Sequence, residues 1–188
     1  EARLELALHQ IKPHFLQNAL MSIKVLCRTR PKEAEQAVYD FAVFLRGNMN
    51  ALESAEMIPF REECKTIERY LHIEKIRFGE RLQVQWDLQE EKFRIPPLTI
   101  QPLVENAVCH GICQKMEGGT VQIRSFRKNG EICVQILDDG AGFDTEKLKD
   151  ADGIAIRNLK LRLKEFLNAD LEIESRKGEG CRQTIHIP

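Results

Sequence analysis

Near residue 81 the apolar residues of this chain change their period from steps of three and four to steps of two, so two differently built regions share one polypeptide. Before the change, Leu4, Leu8, Ile11, Phe15, Ala19, Ile23 and Leu26 recur at helical spacing and predict one long amphipathic helix ending near Thr29-Arg30-Pro31. Ala34, Ala37, Val38, Phe41, Phe44, Leu45, Met49 and Leu52 give a second helix its apolar face. Pro59 interrupts, and Phe60, Cys64, Ile67 and Leu71 start a third helix that runs to about Phe78-Gly79, with Lys75 and Arg77 in its last turn where positive charge is favoured. Two antiparallel helices striped like the first pair cannot bury both faces alone. An intermolecular four-helix bundle is the economical solution, so residues 1–80 are expected to form a homodimer.

From Leu82 onward the pattern alternates, and Leu82, Val84, Trp86 and Leu88 share one face of an expected strand. Pro96-Pro97 precedes an expected helix from Leu98 to Gly111. Gly118-Gly119 announces a strand carrying Val121 and Ile123, and Lys128-Asn129-Gly130 turns it into a second strand with Ile132, Val134 and Ile136. A polar loop from Phe143 to Asp152 leads to a helix from Ile154 to about Leu167. Two closing strands hold Leu171 with Ile173, and Ile185 with Ile187. Strand, helix, two strands, helix, two strands is the order of an α+β sandwich with helices on one face of a mostly antiparallel sheet, which makes residues 81–188 a second domain.

Composition narrows the partners. Lys plus Arg at 28 against Asp plus Glu at 29 leaves no net field to attract nucleic acid or an anionic membrane. The six cysteines contain no Cys-x-x-Cys pair and fall mostly within apolar patterns, as reduced thiols in a cytoplasm would. Cys109, His110 and Cys113 make only part of a metal site, because a closed structural site needs four ligands. No apolar run approaches the ~18 residues of a membrane span, and no signal peptide is visible. The chain opens on Glu1 within a helical pattern and without an initiator methionine, so a preceding segment is expected.

Two constellations carry chemistry. His14 lies about 100° around its helix from Phe15, on the flank of the apolar stripe where a partner can reach it. Pro13 before it removes an N–H and is expected to kink the helix there. Taken alone, His14 is one of five histidines and reads first as an ordinary surface residue. At the other end Asp138-x-Gly140-x-Gly142 closes a strand. An aspartate there can accept a hydrogen bond from the exocyclic amine of adenine, while glycines permit close backbone approach. Upstream, Leu103-Val104-Glu105-Asn106-Ala107 lies on a helix, and Asn106 offers a neutral oxygen of the kind Mg²⁺ takes alongside ATP phosphates. Downstream come Gly153-Ile154-Ala155-Ile156-Arg157-Asn158 and Gly178-Glu179-Gly180, which serve either as turns or as backbone N–H hooks for phosphate.

In this order the motifs resemble the catalytic core of sensor histidine kinases of the LytS/YesM type, over nearly all of residues 1–188. Gln10-Ile11-Lys12-Pro13-His14-Phe15-Leu16-Gln17-Asn18 resembles the family's phosphoacceptor box, usually Gln-Ile-Asn-Pro-His-Phe-Leu-Phe-Asn, and departs from it at Lys12 and Gln17. The resemblance implies a dimeric helical hairpin followed by a Bergerat (GHKL) sandwich that binds ATP and Mg²⁺, and it makes His14 the phosphoacceptor. Leu103 to His110 becomes the N box, with Asn106 as magnesium ligand and His110 in the nucleotide site. Asp138, Gly140 and Gly142 form the first glycine box, Asp138 reading adenine. Residues 143–152 become the ATP lid, Gly153, Ala155 and Asn158 the second box, and Gly178 and Gly180 the third. The implied partner is the receiver domain of a response regulator, and the implied setting is the cytoplasmic part of a membrane sensor anchored by an upstream segment.

Several departures bear on activity. Cys109 stands where the family commonly has a lysine near the phosphates, Ala155 replaces the second glycine of its box, and Cys181 replaces a threonine. GHKL hydrolases carry a glutamate four residues before the magnesium asparagine, where this chain has Pro102. Glu105 is rotated by roughly 100° and cannot substitute. Phe15 follows His14 where many kinases place an orienting acid. Asn18, one turn after His14, is a candidate for positioning water in dephosphorylation. The leading expectation is ATP-dependent autophosphorylation of His14 and transfer to a regulator's aspartate; the alternative is a dimeric scaffold whose nucleotide site has decayed.

Overall fold

The computed structural model describes residues 13–53, 56–143 and 154–188. The chain divides into two compact units, Glu1–Glu56 with Cys64–Gly79, and Met57–Glu63 with Glu80–Pro188.

The first unit is built on helices α1 (Pro13–Thr29), α2 (Pro31–Glu53) and most of α3 (Phe60–Phe78). Phe15, Ala19, Ile23 and Leu26 bury the apolar stripe of α1. Ile23 and Leu26 pack on Ala34 and Ala37, while Phe15 meets Phe44 edge-on at 5.3 Å between ring centroids, so α1 and α2 run antiparallel. Tyr70 of α3 closes the aromatic cluster 5.1 Å from Phe15. Such ring pairs contribute about 0.5–1.5 kcal/mol beyond their burial. Val38 and Met49, expected in the apolar face of α2, are instead exposed in the single chain. The stretch Leu4 to Lys12, which would show a kink at Pro13, lies outside the described residues.

The second unit is an α+β sandwich. Its five-stranded sheet has the order β2-β4-β5-β7-β6, with β2 (Leu82–Leu88), β4 (Gly119–Lys128), β5 (Glu131–Asp138), β6 (Asp170–Arg176) and β7 (Gly180–Ile187). Only β2 and β4 pair parallel, because the helix α4 (Gln101–Asn106) lies between them in sequence; the other pairs are antiparallel. Val121, Ile123, Val134, Ile136 and Ile185 are buried on one face, and α4 and α5 (Ile154–Leu167) supply Leu103, Val104, Leu159 and Leu163 to the core. The opposite face carries Gln83, Gln85, Arg124, Glu172, Glu174 and Arg182, as alternation requires of a sheet covered on one side. Asn129 and Gly130 both take positive φ, 54° and 89°, which is the backbone of the hairpin turn expected there.

Three features differ from the expected elements. The helix expected from Leu98 begins at Gln101, because Pro96-Pro97 is followed by Leu98 at φ 56°. It does not end at Gly111 but passes through a π turn, Ala107–Gly111, and a 3₁₀ turn, Ile112–Gln114. A short antiparallel pair, β1 (Ile58–Pro59) with β3 (Arg94–Ile95), was not expected, and beside it Phe60 stacks on Phe93 at 4.5 Å.

Candidate functional site

Asp138 ends β5 and is buried. Its Oδ1 accepts the N–H of Gly140 at 3.0 Å. A Cβ on Gly140 would lie 2.2 Å from the carbonyl carbon of Gly111, and one on Gly111 would lie 2.4 Å from Asp138 Oδ1. Glycine is required at both positions by close approach, and the end of the π turn is thereby pressed onto the aspartate. Ala141 N–H donates to Gly111 O at 3.1 Å and fastens the same contact. Burial, helped by the negative charge of Asp139 and opposed by the N–H groups of Gly140 and Cys181, pushes the Asp138 carboxyl up to about 6. With two N–H groups on it, an ionised carboxylate still has lone pairs for another donor.

The turn between β6 and β7 locks onto this segment. Gly142 has φ +57° and sits where a Cβ would meet Arg176 O at 2.0 Å; Gly180, at φ +82°, lies as close to Asp138 O, 1.9 Å from a Cβ. Gly178 N–H donates to Ala141 O at 2.7 Å, so this glycine works in the turn and its N–H is engaged. Ser175 Oγ accepts the N–H of Phe143 at 2.9 Å and donates to Gly180 O at 2.8 Å, which ties down the start of the loop that follows. An open hollow of about 570 Å³ lies at these strand ends, lined among others by Asp138, Ile173, Ser175, Gly180 and Cys181. Cys181 pairs with Asp138 in the sheet register. Burial, with the neighbouring Asp138 charge, pushes its thiol up to about 12, so it faces the hollow as a neutral S–H.

Asn106 closes α4 and is half-buried, immediately before the π turn; His110 is exposed and Cys109 half-buried within that turn. Asn158 is exposed on α5. Gly153 and residues 144–152 of the expected lid lie outside the described residues, and Ala155 is described only as part of the α5 backbone. Gly111 and Ser175 were not among the residues expected in the site. A glycine directly after His110 was a visible signal for the first; a serine inside an alternating strand gave none for the second.

In the helical unit, His14 is exposed on the flank of α1, and the Asn18 amide lies 3.0 Å from its Nδ1. Asn18, the candidate for positioning water in dephosphorylation, touches the imidazole itself. Which end of an amide faces a ring nitrogen is set by the tautomer. The amide nitrogen of Asn18 is the atom beside Nδ1, so as placed it donates and Nδ1 accepts; turned over, its oxygen would accept Nδ1–H and leave the Nε2 lone pair outward.

All six cysteines are free, no described group of three side chains forms a metal cluster, and no described helix is long and apolar enough to cross a membrane.

Residues 2–82 match the family described as histidine kinase, and residues 97–188 the family described as histidine kinase-, DNA gyrase B-, and HSP90-like ATPase. Across 98% of its length the chain is 36% identical to the putative uncharacterized protein YwpD of Bacillus subtilis, 70% of which it covers. It is 30% identical over its whole length to the sensor protein LytS of Bacillus cereus but spans only 34% of that protein. The histidine kinase domain of a blue-light activated histidine kinase from Erythrobacter litoralis shares the fold, with a TM-score of 0.58 at 15% identity over 94% of this chain and 93% of that one.

Proposed function

Because the chain belongs to the histidine kinases of the LytS/YesM type, we propose that it is the catalytic core of a two-component sensor that phosphorylates His14 from ATP and passes the phosphoryl group to an aspartate of a response-regulator receiver domain. The observation that carries this reading is the interlocked cradle of Asp138, Gly140, Gly111 and Gly180 beside an open hollow. A buried carboxylate held by backbone N–H groups suits the exocyclic amine of adenine, and the hollow leaves room for the base.

The lone pair on His14 Nε2 attacks the γ-phosphorus in line; the N–P bond forms as the P–O bond to departing ADP breaks. The imidazole carries the positive charge that develops, and an Asn18 amide turned with its oxygen toward Nδ1 would accept Nδ1–H. Asn106 is the side chain we assign to Mg²⁺, which when bound neutralises charge gathering on the phosphoryl oxygens. Transfer is favoured over hydrolysis because Pro102 offers no base and Glu105 Oε1 accepts Gln101 Nε2–H at 2.9 Å. An intact cradle gives a decayed scaffold no support. We assign residues 1–80 to dimerisation and phosphotransfer, residues 81–188 to ATP binding, and the whole to the cytoplasmic side of a longer membrane sensor.

Labelled ATP with Mg²⁺ should give base-stable, acid-labile labelling that His14→Gln abolishes, with ATP affinity kept within about twofold since the acceptor lies outside the nucleotide site. Labelling that survives this change would move the acceptor to another histidine.

A further inference from the structure

Glu63, in the first turn of α3, is only 2% exposed, and a carboxylate buried so completely needs a reason. Its Oε1 accepts the N–H groups of Ile100 at 2.5 Å and Gln101 at 3.2 Å. Ile100 is the N-cap of α4 and has no side chain able to cap, so the helix takes its cap from a residue 37 positions earlier. Glu63 Oε2 has no hydrogen-bond partner. Burial pushes the carboxyl up to about 7, against the N–H groups of Ile100, Gln101 and Thr99 and the charge of Arg162 on α5, which draw it down. The Arg162 guanidinium hydrogen-bonds Pro97 O, just before the same helix.

Helix α4 is short and leads straight into the π turn. Asn106 is its last residue, about 7.5 Å along the axis from Gln101 at 1.5 Å per residue, and Gly111 beyond it presses on Asp138. With one end fixed on Asp138 and the other on Glu63, the segment cannot slide. We propose that Glu63 is a positioning residue of the nucleotide site, setting through α4 the place of Asn106. This rests on reading Asn106 as the magnesium ligand.

Calorimetry on the 188-residue chain, with ADP in Mg²⁺ and ADP in EDTA, tests it. Groups that orient a metal ligand typically change metal affinity by about tenfold or more, so Glu63→Ala is expected to weaken binding by that factor in Mg²⁺ and by less than about threefold in EDTA. Glu63→Gln keeps an oxygen for Ile100 and Gln101 and is expected to restore Mg²⁺-dependent binding. Equal losses in both conditions, or none in either, overturn the proposal. If Glu63→Ala does not fold, Glu63→Asp replaces it, since the shorter side chain keeps the charge but retreats from Ile100. A loss confined to Mg²⁺ supports the role of Glu63, and parent-like Mg²⁺ dependence overturns it. Asn106→Ala run in parallel separates the two readings. Loss of Mg²⁺ dependence there but not in the Glu63 variants removes the role of Glu63 alone; retention there removes both.

Discussion

Asp138 holds its proton almost as firmly as an ordinary histidine, because burial outweighs the two N–H groups that favour its ionised form. Adenine's amine wants the ionised form, so nucleotide affinity should fall as pH drops through about 6. If the neutral carboxyl does not bind, ADP affinity falls about tenfold between pH 7 and pH 5, measured by calorimetry. Asp138→Asn should cost roughly 1–3 kcal/mol at pH 7.5 and show no such dependence, because the amide does not titrate. A parent affinity flat across that window would remove adenine from Asp138. The free chain behaves with the opposite sign. A carboxyl raised from 3.8 to about 6 on folding makes ionisation costly, so Asp138 lowers stability progressively as pH climbs through that range.

On the proposed reading, in which α4 borders the phosphates, the π turn that continues the helix changes which side chains face them. In a continuous α-helix Cys109, three residues after Asn106, would stand one turn beyond it. The π turn over Ala107–Gly111 has a longer period, and the residue one turn on is His110. His110→Lys should therefore tighten ATP more than adenosine, by roughly 0.2–1 kcal/mol at this exposed position, and Cys109→Lys should do less. Competition binding with the two ligands checks the order, and the reverse order would place Cys109 toward the phosphates. The same segment marks the limit of what periodicity reveals. The stripe of α1 from Phe15, the extent of α3, and the Asn129-Gly130 hairpin were legible because each is written in neighbouring residues. The π turn, the β1–β3 pair and the Glu63 cap were not, because each depends on residues tens of positions apart that meet only after folding. Asp138, Gly140, Gly142 and Gly180, which the structure brings together, were visible as types and spacings. The Gly111–Asp138 contact that assembles them was not.

On the scale of the whole molecule, α1 and α2 leave Val25 59% and Val38 51% exposed, with Leu20, Met21, Tyr39 and Met49 also open to water. Val38 and Met49 fall about 20° apart on the helical wheel, which makes them one surface and not scattered exceptions. We expect a second copy of the hairpin to cover this surface in a four-helix bundle. Sedimentation at tens of micromolar should show a dimer, a concentration range at which weak interfaces by order of magnitude dissociate. Val25→Glu combined with Val38→Glu should give a monomer whose nucleotide affinity is unchanged; a dimer surviving both charges would put the interface elsewhere.

The helix α3 belongs to two bodies at once, Phe60 to Glu63 counting with the sheet and Cys64 onward with the helices. Phe60 stacks on Phe93, Glu63 caps α4, and Ile58 pairs with Ile95, so the sandwich begins its own construction before the helical unit has finished. The junction expected near residue 80 is therefore crossed by Met57–Glu63, which count with the sheet. A recombinant that exchanged ATP-binding halves at that junction would graft a foreign sheet onto a native cap and native strand, and each half would arrive without a piece of itself. Met57–Glu63 would have to stay with the sheet and Cys64–Gly79 with the helices, and no single cut in the chain does both.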